Sequence, residues 1–200
     1  MPIDFNKKIC FIHIPKTGGT SIEKNLDIMN KNNYWGGFKG RSMQHYLWND
    51  YKNILNENYN NFFKFTIVRN PYDRIISEYY WNKDFGFSKN ISFDDYLKQV
   101  SNIFQNNLFN NKNCNHFIPQ HKFIYDSSNN LMIDKIFNFE TFDEIYQYLI
   151  QNNYLEKIIL NKKFNKRKRK GINLNQLTDE QKNIIYNLYK NDFILFNYQK

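Results

Sequence analysis

The 200-residue chain contains no alanine, two valines, four prolines, seven glycines and two cysteines. Two cysteines, Cys10 and Cys114, make neither a zinc-ligand spacing nor a disulfide framework, and both are expected to be buried thiols. With so little glycine and proline there is no linker of that composition, and no internal repeat interrupts the chain. No apolar run approaches the roughly 18 residues of a membrane span, and the opening MPIDFNKKIC has no apolar signal core. A soluble, unsecreted, cytoplasmic protein is expected, from a bacterial cytosol or a virus-infected cell. Asparagine, by contrast, occurs 34 times, with 19 phenylalanines and 15 tyrosines. Such a bias is what AT-rich coding produces. Aromatics at 18% and hydrophobics at 41% still supply a core, because Phe, Tyr and Ile each bury more area than the missing alanine. Global disorder is excluded on the same ground, and the length fits one domain spanning 1–200.

The net charge of +9 implies an anionic partner: nucleic acid, nucleotide, acidic sugar or membrane surface. Seven of the 28 basic residues lie in one block, 162–170 (KKFNKRKRK), so the rest of the chain is closer to neutral.

Short β-like runs alternate with longer helical patterns, which predicts an α/β architecture: a parallel sheet flanked by helices. Residues 8–14 (KICFIHI) and 64–68 (KFTIV) read as buried parallel strands; 133–138 is a third candidate and 122–125 a weaker fourth. A helix is predicted after each of the first two strands. Thr20 and Ser21 are available to cap the first, ahead of Ile22, Leu26 and Met29. Pro71 opens the second, with Ile75, Ile76, Tyr79 and Tyr80 as its buried stripe. Thr178 and Gln181 form a capping box for a C-terminal helix. Residues 32–41 and 105–116 read as irregular.

Two strand ends carry chemistry. The first strand runs into Pro15-Lys16-Thr17-Gly18-Gly19-Thr20-Ser21 and then a helix. Paired glycines allow a tight turn that presents N–H groups, Lys16 adds a charge, and Thr20 and Ser21 add hydroxyls, which together make an anion cradle. The plainer alternative is a strand-to-helix turn with an exposed lysine. The Walker pattern GxxxxGK[ST] places lysine after the second glycine, and this loop places it before the first. The second strand ends in Arg69, where phosphoryl-transfer NTPases commonly have a magnesium-holding Asp, so binding of phosphate without a metal is expected. Arg69 and Ser77 either fold towards one anion, or Arg69 pairs with Asp73 or Glu78 while Ser77 faces the core.

The segments FIHIPKTGGTSIEKNL (11–26) and FTIVRNPYDRIISEYYW (65–81) together resemble the sulfotransferases that use 3′-phosphoadenosine 5′-phosphosulfate (PAPS), in particular the carbohydrate branch typified by heparan sulfate 2-O-sulfotransferase. Weaker echoes are HFIPQ (116–120), DKIFNFETFDEI (134–145) and LYKNDFILFNY (188–198). The resemblance implies a P-loop-like sheet and in-line transfer of a sulfuryl group from PAPS to a hydroxyl or amine, leaving adenosine 3′,5′-bisphosphate and needing no metal. Lys16, Thr17, Gly18, Gly19, Thr20 and Ser21 would hold the 5′-phosphosulfate, with Lys16 also stabilising the leaving phosphate. Arg69 and Ser77 would hold the 3′-phosphate, and Arg167 and Arg169 of the basic block would join them. The block's other readings are a solvated surface loop or capture of a polyanionic acceptor.

A hydroxyl acceptor requires a base, and four histidines are present. His45 is the candidate by resemblance. His13 suits a structural role, His116 and His121 read as satisfied loop residues or as lining for the acceptor, and Glu23 or Glu57 is the carboxylate alternative. The expected acceptor is a carbohydrate or other hydroxyl compound, not nucleic acid. Two rival readings are a divergent nucleotide or nucleoside kinase and a non-catalytic polyanion-binding module.

Overall fold

The computed structural model describes residues 2–28, 37–38, 41–84, 90–111, 114–158 and 171–200. The chain forms two compact units, one from Met1–Val68 and Lys122–Lys166, the other from Arg69–His121 and Arg167–Lys200.

The first unit is built on a four-stranded sheet. β1 (Ile3–Asp4) and β2 (Ile9–Ile12) pair antiparallel; a short ladder of β3 (Gly37–Phe38) and β4 (Arg41–Ser42) stands apart; β5 (Phe63–Val68) and β6 (Lys135–Asn138) complete the sheet in the order β1-β2-β5-β6. β2, β5 and β6 run parallel, with Phe11 opposite Phe65 and Thr66 opposite Ile136. β2 is buried throughout and β5 at all but its first residue, because apolar side chains leave both faces. On one face Phe11, Phe65, Ile67 and Phe137 pack with Ile22 of α1 (Gly19–Asn25). Phe142, Ile145 and Leu149 of a later helix, Phe142–Gln151, join the same cluster. Next to β2 lies α2 (Trp48–Leu55), whose fully buried Tyr51 donates its hydroxyl to the Phe11 carbonyl at 3.4 Å. Lys64 is buried at the start of β5 and spends its ammonium on the Tyr59 and Phe62 carbonyls and on Asp134 at 2.9 Å.

The second unit is helical. α3 (Pro71–Asp84) and α4 (Phe93–Gln105) are followed in chain order by α5 (Phe142–Gln151), the first unit's helix, and then by α6 (Asp179–Leu195). Tyr72, Ile76, Leu97, Val100, Ile185 and Phe193 share the core of α3, α4 and α6. Helix starts follow the local chemistry: Ser92 accepts from the Asp95 N–H, and Thr178 with Gln181 forms the predicted capping box.

The α/β class and the mainly parallel sheet flanked by helices are as expected. Two local readings are corrected. Residues 122–125 are not a strand: Gln120–Phe123 is a 3₁₀ turn, followed by an isolated bridge between Tyr125 and Leu131. Residues 37–38 and 41–42 of the glycine-bearing stretch form a ladder; the rest of 32–41 lies outside the described residues. Cys10 is fully buried and Cys114 half-buried, both free thiols pushed up in pKa by burial. Among the described residues no helix is long and apolar enough to cross a membrane.

Candidate functional site

The parallel register puts the carboxyl ends of β2 and β5 on one side of the sheet, where open α/β folds bind ligands. The loop after β2 turns through two left-handed residues, Lys16 at φ +68° and Gly18 at φ +82°. For a lysine this conformation costs about 1–2 kcal/mol, a strain found where the turn itself is needed. Gly18 is required twice over, since a Cβ there would meet Phe142 at 2.9 Å and Phe139 at 3.0 Å. Gly19 is required by a different neighbour: its Cβ would run into the imidazole of His13.

The loop is braced from within. Thr17 is fully buried and donates its hydroxyl to the Ile14 carbonyl at 2.8 Å; the Ser21 N–H closes the turn on the Gly18 carbonyl at 3.0 Å. Asn25 links the Ser21 carbonyl to the Tyr146 hydroxyl. The expected hydroxyl cap is corrected: Gly18 is the N-cap and α1 starts at Gly19, so Thr20 and Ser21 fall inside its first turn. At seven residues α1 has a small dipole, and the loop's charge comes chiefly from half-buried Lys16. From Ile14 to Ser21 there is no acid. Glu23, the first acid after the loop, is fully buried, with Oε1 accepting from His13 Nδ1 and Oε2 from Gln44 Nε2, each at 2.7 Å.

His45 lies in the same unit, in a 3₁₀ turn before α2. Its Nδ1–H donates to the His13 carbonyl at 3.0 Å, and the two rings stand edge to face with centroids 4.7 Å apart. A carbonyl only accepts, so Nδ1 carries the proton and the neutral ring has its lone pair on Nε2. Glu57 is exposed and contributes nothing to this cluster.

In the second unit Arg69 is held by its backbone. The Gln120 side chain, fully buried, accepts from the Arg69 N–H at 2.9 Å and donates to its carbonyl at 2.8 Å. Gln120 and His121 are held in turn by Asp192, which is fully buried and accepts from both N–H groups and from His121 Nδ1 at 2.6 Å. Arg74 donates to the carbonyls of His116 and Ile118. Glu78 accepts from His116 and Asn82 through one carboxylate oxygen. Ser77 is buried on α3, and among the described residues no hydrogen bond uses its hydroxyl. His116 and His121 each pair with a buried acid, the satisfied reading of those two residues. Arg167 and Arg169 lie outside the described residues. Among the described residues no cluster of three or more His, Cys, Asp or Glu could hold a metal ion.

Sequence reasoning missed the carboxylate bracket on Glu23 and the amide bracket on Arg69. The second had a signal in HFIPQ; the first had none, because His13, Glu23 and Gln44 meet only in the folded chain.

A family model described as the Sulfotransferase family matches residues 2–199. The chain belongs to that family, and it is a sulfotransferase. Compared with curated proteins and with solved structures, it matches none.

Proposed function

We propose that this sulfotransferase is one catalytic domain over 1–200 that takes its sulfuryl group from PAPS and delivers it to a hydroxyl, or less readily an amine, of a carbohydrate acceptor. The observation that carries the reading is the loop at 14–21, strained at Lys16, free of acids, and backed by a carboxylate whose two oxygens both face inward. That donor set fits a phosphosulfate: one ammonium, backbone N–H groups and hydroxyls around a tight turn.

When bound, the donor supplies an activated sulfuryl group on a phosphate leaving group. Lys16 and the N–H groups of Gly18, Gly19 and Thr20 would hold the 5′ oxygens and spread the charge that develops on the phosphate. Thr17 and Ser21 contribute by shaping the turn, since the Thr17 hydroxyl and the Ser21 N–H are committed within it. Arg69 and Ser77 would hold the 3′-phosphate. The Gln120 bracket supports this role by fixing the backbone from which the guanidinium reaches, and Ser77 has its hydroxyl available one turn from Tyr80. Arg167 and Arg169 are proposed to join this subsite: Gly171, which follows their block, lies against the Tyr80 ring, with Cζ 3.2 Å from the position of a Cβ. No metal is assigned to the reaction, and Arg69 follows β5 where a metal-binding acid would otherwise stand.

His45 Nε2 takes the acceptor proton, while the Nδ1 bond to the His13 carbonyl holds the ring in the base-competent tautomer. The carbohydrate branch, a cytoplasmic location and a partner that is not nucleic acid complete the reading.

The test is an acceptor screen with sulfur-labelled PAPS across polysaccharides, tyrosine peptides and small phenols. Label is expected on a carbohydrate, and His45→Ala is expected to lower transfer by about 10²-fold or more with unchanged affinity for adenosine 3′,5′-bisphosphate. Label on a peptide or phenol alone would reassign the acceptor, and full transfer by His45→Ala would move the base elsewhere.

A further inference from the structure

Glu23 is the most deeply buried acid of the first unit, at 0% exposure, and it touches neither solvent nor a cation of fixed charge. A buried carboxylate is costly unless both oxygens are satisfied, and an apolar side chain is often the cheaper occupant. Its two partners belong to different parts of the site. Oε1 accepts from His13, whose ring fills the space beneath Gly19. Oε2 accepts from Gln44, the chain neighbour of His45, while His45 itself bonds the His13 carbonyl.

We propose that Glu23 is a positioning residue that ties the anion loop to the histidine base: one oxygen sets the ring that supports Gly19, the other sets the turn that presents His45. The proposal rests on the reading of residues 14–21 as the donor loop and His45 as the base. An acid at this position fixes both partners as donors. A glutamine would have to turn its own NH₂ towards one of them, and would keep that contact only by driving His13 to the Nε2–H tautomer or turning the Gln44 amide over. His13 is thereby a support for the loop, and its buried ring is not a second base.

The experiment reads the two sides separately. The chain has four histidines, so long-range ¹H–¹⁵N spectra of the imidazoles can be assigned ring by ring. Wild-type protein is expected to show His45 in the Nδ1–H form. Gln44→Leu, at a half-buried position, is expected to release His45 to a mixture of tautomers, with affinity for adenosine 3′,5′-bisphosphate by calorimetry within about twofold of wild type. Glu23→Gln is expected to disturb both His13 and His45 and to weaken that affinity about tenfold, the worth of one hydrogen bond to a charged group. If Glu23→Gln does not fold, Gln44→Leu alone decides. The proposal is overturned if Gln44→Leu keeps His45 in the wild-type tautomer, or if Glu23→Gln leaves His13 and the nucleotide affinity unchanged. Absence of nucleotide binding in the wild type overturns the donor-loop reading instead, and the ring spectra still judge the link through Glu23.

Discussion

A methyl group on Gly19 would lie 2.7 Å from Cγ of His13 and closer still to Cδ2 and Nε2. The second glycine of the loop is therefore set by a side chain beneath it, independently of any ligand above. Gly19→Ala should destabilise the protein by about 1–3 kcal/mol, the range for overpacking a close-packed site. In the His13→Ala background the same change should cost at least about 1 kcal/mol less, as contacting residues are coupled. Urea unfolding of the four members of the cycle checks this, and additive costs would contradict the contact.

Lys16 makes two opposed contributions. Its φ of +68° is unfavourable for any side chain bearing a Cβ, and its ammonium is the loop's cation. Lys16→Gly should be about 1 kcal/mol more stable than Lys16→Ala. Both should lose about tenfold or more in affinity for adenosine 3′,5′-bisphosphate, the worth of a charge-assisted bond. Equal stability of the two variants would show that the strain is absent.

Asp192 holds the 3₁₀ turn at Gln120–Phe123 through two N–H groups and His121. Asp192→Ala leaves those donors buried without an acceptor and should cost about 3–5 kcal/mol. Because Gln120 brackets Arg69, the variant should also weaken nucleotide binding under conditions where it is still folded. Chemical denaturation followed by fluorescence reads the first effect and calorimetry the second.

The tyrosines predict an alkaline limit. Burial pushes the phenols of Tyr51, Tyr59, Tyr96 and Tyr189 up, and that of Tyr146 up to about 12. These groups are neutral when protonated, so a raised folded pKa stabilises the fold fully below the ordinary phenol value near 10. That stability is lost as pH rises above it towards the folded values. Phenolate absorbance should rise in two stages, exposed rings first and buried rings together with loss of the circular dichroism signal. Titration of all 15 tyrosines near pH 10 with the fold intact would contradict the burial.

The parts of this molecule legible in the sequence are those where chemistry is local. KICFIHI followed by KTGG, and KFTIV followed by RNP, mark strand ends from runs of neighbours alone, and Thr178 with Gln181 marks a helix start from a spacing of three. Residues 122–125 (KFIY) mislead because an apolar run of three residues has no period of its own. The N–H groups of Gln120 and His121 just before them are drawn into a 3₁₀ turn by Asp192, some seventy positions along the chain. Thr20 and Ser21 are cap residues by type, but left-handed Gly18 takes that position two residues before Thr20. The pairing of Glu23 with His13 and Gln44 spans separations of 10 and 21 residues and has no helical or strand period, so nothing in the linear pattern points to it.

Residues 14–21 and 69–77 are proposed to bind the two phosphate ends of PAPS. Isothermal calorimetry with adenosine 3′,5′-bisphosphate tests it without knowledge of the acceptor. Saturable 1:1 binding to the wild-type chain is expected, weakened about tenfold or more by Arg69→Ala and by Lys16→Ala. Binding that is absent in the wild type, or unchanged in both variants, would contradict it.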